Sequence, residues 1–208
     1  IPIDHFEIRL NTKSSKGKKK QILKLLSDPN QLHSQEEYLQ VQYKLEIACE
    51  SGDIDMINIL LNEKIEAKSE GLLLKINKKN KTASVLSVNK EMEHLIIPRS
   101  IKHKNIEYLI TSIVGLGYDQ FSKKIKTISF DKNSAVTTIY EHAFDTLSIE
   151  QINFPTSLKE LKNAWCCFTC HLKSITIPSM NKGFIFKDNK YLLGKTDIKS
   201  PNFDILLF

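Results

Sequence analysis

One phrase recurs along the chain: Ile125-x-x-Ile128-x-Phe130, Ile149-x-x-Ile152-x-Phe154-Pro155, then Leu172-x-x-Ile175-x-Ile177-Pro178. Its second apolar position falls at residues 128, 152 and 175, intervals of 24 and 23, and an earlier copy reads Met92-x-x-Leu95-x-Ile97-Pro98. This period constrains the fold more than any other feature. A unit that short cannot bury its own apolar face, so it stacks on its neighbours and builds a solenoid. Such a stack is expected to offer a long surface and no pocket, which points to holding a partner and away from catalysis.

Within each phrase the last two apolar positions are two apart, so they face one side of a short strand while the residues between and before them face the other. Proline follows in three of the four copies and ends the strand, because it brings no amide to a neighbouring ladder. The outward members are His94 and Ile96, Thr127 and Ser129, Gln151 and Asn153, Ser174 and Thr176. Stacked at about 4.8 Å, they make a mostly neutral, hydrogen-bonding sheet face, and these eight are the candidate partner-binding residues. Ile139 with Ala143-Phe144, and Leu161 with Ala164-Trp165, are expected to turn the chain back under the sheet as apolar residues. Leu147 and Cys170 each precede the next phrase by two residues and so share one buried slot. The unit from Leu95 to Ile128 is longer, with Lys102 to Glu107 as the expected inserted loop, a second candidate contact.

The period changes in the N-terminal third. From Gln21 to Glu66 it is helical: Ile22, Leu25 and Leu26 share a face, and Ser27-Asp28-Pro29-Asn30 breaks the run. Ser34 followed by Glu36 and Glu37 offers an N-cap with acids in the first turn. The helix continues through Tyr38, Val41 and Leu45 to Cys49, and Ile54 to Asn62 forms another with Ile57, Leu60 and Leu61 inward. Beyond Gly71 the period is that of strands, with Leu72 to Ile76 and Ala83 to Val88 reading as a hairpin, so the boundary is placed there.

Charge is uneven. Residues 9 to 24 hold seven bases and no acid, residues 25 to 70 ten acids against three bases, and residues 71 to 104 eight bases against two acids. The Lys13 to Lys24 run could attract phosphate or anionic lipid. Ser14, Ser15 and Gly17 dilute it and no aromatics interleave, so it reads as a solvated segment before a helix, and nucleic acid is not the expected partner. The chain opens Ile1-Pro2-Ile3-Asp4 and stops in the apolar run Ile205-Leu206-Leu207-Phe208, so both ends read as cut. No secretory signal and no stretch long enough to cross a bilayer is visible, and any membrane attachment is expected from segments outside the sequence.

Four cysteines, at 49, 166, 167 and 170, are too few and too clustered for a disulfide framework. Cys167-Phe168-Thr169-Cys170 is formally a Cys-x-x-Cys, but zinc wants a second ligand pair and redox chemistry wants a depressed thiol pKa. The histidines at 5, 33, 94, 103, 142 and 171 supply no such pair. Core packing is therefore the expectation for these cysteines, with no metal and no cofactor. Trp165, the only tryptophan, also reads as core. No order of Ser, His and Asp stands out, and no GxSxG, HExxH or phosphate-binding glycine loop is present, so neither an enzyme nor a small-molecule substrate is expected.

Two resemblances sharpen this reading. Ala48-Cys49-Glu50-Ser51-Gly52-Asp53 followed by Ile57-x-x-Leu60-Leu61 resembles the helix-turn-helix of an ankyrin repeat, though the usual Thr-Pro-Leu-His phrase is missing. Further on, Ile97-Pro98, Ile139, Ala143-Phe144, Ile149, Ile152, Phe154-Pro155, Leu161, Cys170, Leu172, Ile175 and Ile177-Pro178 resemble the leucine-rich repeats of BspA-like surface antigens. Residues 182–193 are similar to the hairpin that interrupts those repeats. Asp131 departs from the pattern where proline would follow Phe130, and Gly115 to Phe121 is longer than the usual turn. The resemblance implies a non-catalytic adhesion module at the cell surface, binding a host or matrix protein through its repeat face. The chain thus reads as an α+β repeat protein: a basic flexible segment over 1–20, a helical ankyrin-like region over 21–70, and a leucine-rich-repeat solenoid with short stacked strands over 71–208, incomplete at the C-terminus. An intracellular ankyrin/leucine-rich-repeat scaffold is the alternative, and anionic-polymer binding by the lysine run ranks third.

Overall fold

The computed structural model describes residues 44–45, 47–48, 53–61, 66–69, 71–88, 91–116, 124–145, 148–167, 169, 171–188, 190–195, 197 and 199–207. The chain divides into two compact units, Ile1–Lys64 and Ile65–Phe208.

In the first unit, residues 44–45 and 47–48 are helical and helix α1 spans Ile54–Leu61. Asp53 starts α1: its side-chain Oδ1 accepts from Met56 N at 2.9 Å, and its carbonyl accepts from Ile57 N. An aspartate at the N-cap satisfies an amide that has no partner inside the helix, and Asp55 in the first turn suits the positive end of the helix dipole. Leu45, Ala48, Met56, Ile57 and Leu60 are buried. The remainder of the expected ankyrin-like region, including Cys49 and Gly52, lies outside the described residues, as does the basic segment 1–20.

The second unit is built of strands. β1 (Glu66–Ser69), β2 (Leu72–Asn77) and β3 (Thr82–Val88) form an antiparallel meander. Strand structure therefore begins at Glu66, ahead of the Gly71 boundary read from the sequence. Gly71, with φ of 81°, makes the turn from β1 to β2, a conformation that costs glycine little because it has no Cβ.

From here the chain alternates between two sheets. β4 (His94–Ile97), β7 (Thr127–Phe130), β9 (Gln151–Asn153) and β11 (Ser174–Thr176) pair in parallel as a four-stranded sheet in the order β11-β9-β7-β4. β6 (Ile106–Ile113), β8 (Thr138–Ile139) and β10 (Glu160–Leu161) stack in parallel on β3 to continue the other sheet. The turns begun by β4, β7 and β9 each place a strand in both sheets, which is the solenoid that the period requires.

The expected loop at Lys102 to Glu107 is instead a hairpin of β5 (Ser100–His103) with β6. Lys104 and Asn105, with φ of 49° and 64°, close it. Two successive left-handed residues match the twist of a two-residue hairpin, and asparagine tolerates that region better than most. The chain then adds a three-stranded antiparallel sheet of β12 (Ile185–Lys187), β13 (Tyr191–Gly194) and β14 (Ile205–Leu206), which contains the hairpin expected over 182–193.

One apolar cluster fills the solenoid. Leu95, Ile128, Ile152 and Ile175 enter it from one sheet, Ile110, Ile113, Ile139 and Leu161 from the other. Phe144 and Phe154 meet Trp165 edge-on, with ring centroids 5.8 and 5.5 Å away, so Trp165 is core as expected. Ala164 is not: it is exposed, and its φ of 51° shows that it serves the turn as a small residue that the left-handed conformation penalises modestly.

Asp131 occupies the place where proline ends the other strands. Its amide donates to Ile97 O at 3.0 Å, a bond proline cannot make, and its carboxylate accepts from Arg99 N at 2.8 Å. The departure from the repeat therefore closes one turn onto the one before it.

Candidate functional site

All eight outward residues predicted from the repeat lie on the parallel sheet β4-β7-β9-β11. The register aligns His94 with Thr127, Thr127 with Gln151, and Gln151 with Ser174, a continuous column across four strands. Beside it, Ile96 pairs with Ser129 and Asn153 with Thr176. Between the two outward columns, Leu95, Ile128, Ile152 and Ile175 are all buried. That alternation pins the register, because a slip of one residue would exchange the whole inner column for the outer.

The outward face is already partly organised by itself. His94 Nδ1 is 2.8 Å from Thr127 Oγ1, Gln151 Nε2 donates to Asn153 Oδ1 at 3.0 Å, and Ser129 Oγ donates to Leu95 O at 3.4 Å. None of the eight is an acid or a lysine. Ile96 stands 60% exposed at one end of this neutral field, a large apolar side chain among hydrogen-bonding groups.

One flank of the sheet carries charges that the phrase itself does not include. Glu93, Lys126, Glu150 and Lys173 each sit two residues before the inner apolar residue of their strand. Their backbones form a ladder: Lys126 N donates to Glu93 O, Glu150 N to Lys126 O and Lys173 N to Glu150 O, at 2.7–2.8 Å. The side chains alternate in sign, with Lys126 Nζ 3.0 Å from Glu93 and Lys173 Nζ 2.7 Å from Glu150. The hydrogen bond and charge of Lys173 hold the Glu150 carboxyl below the usual carboxylate range. Lys124 and Glu91 repeat the arrangement one step further out, at 2.7 Å. The signal for this row was present in the sequence, since the four residues share one repeat position.

On the return side, Asp145 is the one buried acid among the described residues. Its Oδ2 is 2.5 Å from His142 Nδ1, and its Oδ1 accepts from Cys167 N, 22 residues ahead, at 2.7 Å. His142 has φ of 55°, and its amide donates to Ala164 O of the following turn at 2.9 Å. Nothing in the phrase pointed to Asp145, because its position does not recur as an acid.

The cysteines divide. Burial pushes the Cys166 thiol up to about 12, and burial followed by the charges of Asp145 and Glu141 raises Cys167. Both shifts run opposite to the depressed pKa that redox chemistry needs. Cys166 packs against the core cluster. Cys167, half-buried, turns to Asp145 and His142, and these three bring potential metal-ligand atoms within 4.8 Å of one another. Cys170 and Leu147, which share the expected buried slot, lie outside the described residues, as do residues 117–121 of the long turn.

The BspA type leucine rich repeat region matches residues 89–193 in six copies, just over half of the chain. The chain belongs to this family. Among solved structures it is similar to the pneumococcal vaccine antigen PcpA, at 19% identity and a TM-score of 0.39, over 57% of this chain and 39% of that one. It is also similar to a leucine rich cell surface protein of Faecalibacterium prausnitzii, at 13% identity and a TM-score of 0.33, over 59% and 45%. A third is a leucine-rich repeat protein of Bacteroides capillosus, at 14% identity and a TM-score of 0.34, over 55% and 99%. The chain spans less than half the length of the first two. No curated protein matches it. Membership of this family supports a repeat-based protein-interaction module.

Proposed function

We propose that this BspA-type solenoid is a non-catalytic adhesion module that engages a protein ligand through the outward face of β4, β7, β9 and β11. The observation that carries the reading is the unbroken column His94, Thr127, Gln151, Ser174, set in register by four parallel strands and flanked by Ile96, Ser129, Asn153 and Thr176. Side chains fixed on strands lose little freedom on binding, so a partner that matches their spacing meets a preorganised surface. The exposed Ile96 supplies an apolar anchor at one edge, and the neutral hydrogen-bonding groups supply the register. The family resemblance favours a host or matrix protein as ligand and the cell surface as the site of action.

Gln151 and Asn153 lie on an inner strand of the face, so they carry the test. Binding of the full chain to a panel of immobilised matrix proteins is measured by surface plasmon resonance, before and after Gln151→Lys and Asn153→Lys. The expected result is a ligand whose affinity falls about tenfold or more, ~1.4 kcal/mol, while the urea midpoint stays put. A ligand that binds both variants as tightly as the parent chain would place the contact elsewhere.

A further inference from the structure

The return turns hold a second constellation, unrelated to the strand face. Asp145, with 1% of its side chain exposed, stands between two consecutive turns of the solenoid. His142 approaches it from its own turn, and Cys167 from the next. The donor atoms are an imidazole nitrogen, a carboxylate oxygen and a sulfur, all within 4.8 Å of one another. Glu141 Oε1 lies 3.9 Å from His142 Nε2, so a second carboxylate adjoins the same ring.

We propose that His142, Asp145 and Cys167 form a zinc-class metal site that ties two consecutive turns of the solenoid together. A sulfur beside an imidazole selects a borderline-soft ion such as Zn2+ over Ca2+ or Mg2+, which prefer all-oxygen cages. Metal bonds of about 2.0–2.1 Å at tetrahedral angles set a nitrogen and an oxygen roughly 3.3 Å apart. The 2.5 Å His142–Asp145 contact therefore has to widen by less than about 1 Å to admit the ion. A water completes the fourth position, Glu141 lies beside the far ring nitrogen of His142, and binding releases the Cys167 thiol proton to solvent.

The support around these ligands is what a metal site requires. Asp145 Oδ1 is held by Cys167 N, which leaves Oδ2 turned to His142. The two turns are joined by His142 N to Ala164 O at 2.9 Å and Phe144 N to Trp165 O at 3.0 Å, so their ligands cannot drift apart independently. His142 and Glu141 keep 22% and 20% of their side chains exposed, which gives an ion a way in. The Cys167 thiol donates to Ala164 O at 3.6 Å, a weak bond that coordination of an ion would replace.

The test uses the full chain, reduced and stripped with EDTA, then titrated with Co2+ and afterwards with Zn2+. One equivalent of Co2+ should bring up a thiolate-to-cobalt charge-transfer band that Zn2+ abolishes. Cys167→Ser should remove the band, whereas Cys49→Ser, Cys166→Ser and Cys170→Ser should leave it. His142→Ala retains the thiol and should weaken Co2+ binding by at least about tenfold, the loss seen even for outer-shell partners. Saturating Zn2+ should raise the urea midpoint of the parent chain and not that of Cys167→Ser. Circular dichroism of the metal-free variants separates loss of ligand from loss of fold. Absence of a thiolate band in the parent chain, a band that survives Cys167→Ser or needs Cys170, or unchanged affinity in folded His142→Ala would overturn the assignment.

Discussion

The strand side and the return side of the solenoid are made by different rules. On the strand side β4, β7, β9 and β11 repeat one solution: a buried aliphatic residue at the shared central position, two outward residues beside it, and a charged residue two positions before it. On the return side β6, β8 and β10 stack in parallel, but the segments around them differ from turn to turn. The return between β4 and β7 is an eight-residue strand entered through a hairpin, whereas the return between β7 and β9 is closed at its start by Asp131 on Arg99 and joined near its end, through Asp145, to the following turn. The difference teaches where stability and individuality reside. Identical slots stack because each buries the same shape on its neighbour, whereas the returns hold together by particular hydrogen bonds that only two turns share.

That contrast can be broken by mutation. The largest effect is expected from Ile152→Ala, which empties a fully buried slot between two others: a loss of about 2–5 kcal/mol in urea unfolding. Next comes Asn181→Ala on the return side. The Asn181 amide donates to Leu158 O at 3.0 Å, and its Oδ1 accepts from Gly183 N and Phe184 N, so removal leaves buried backbone groups without partners, at about 2 kcal/mol. If Asn181→Ala proved costlier than Ile152→Ala, the ranking of the two sides would reverse.

The smallest effect is expected at the charged flank, from Glu150→Gln. Its folded pKa is held below the ordinary 4.5, so its contribution is present above that value and fades as pH falls through the lower, folded one. Parent and variant should therefore differ slightly near neutrality and converge in acid. The difference should also shrink with added salt, because the carboxylate is exposed. A gap that persists in strong acid would mean that Glu150 acts by packing and not by charge.

Much of this fold could be read from the chain. The strands of the repeated phrase, the inner column, the proline stops after Ile97 and Phe154 and the β2–β3 hairpin all follow from apolar alternation and turn chemistry, which are local. The C-terminal hairpin is expected from the family resemblance instead, and the return strands β8 and β10 are legible only as apolar residues. The eight outward residues came from the same alternation. The insertion at Lys102 to Glu107 was legible as extra length but not as a hairpin, because pairing with β6 depends on two left-handed residues that few sequence signals announce. The role of Ala164 was misread for the same reason: alanine marks a core slot and a tight turn equally well. The start of the sheet at Glu66 was hidden because Glu66 to Ser69 lacks an apolar period and is a strand through its pairing with β2.

By itself the sequence determined that residues 92–178 stack, and with which face inward, because a period of 23–24 residues and a spacing of two leave one way to bury the aliphatic residues together. Only the tertiary structure decided that Asp145 meets Cys167 and that Asp131 meets Arg99. Those contacts join residues 22 and 32 positions apart on turns of unequal shape. Their distance is set by how each turn bends, which no pattern along the chain encodes.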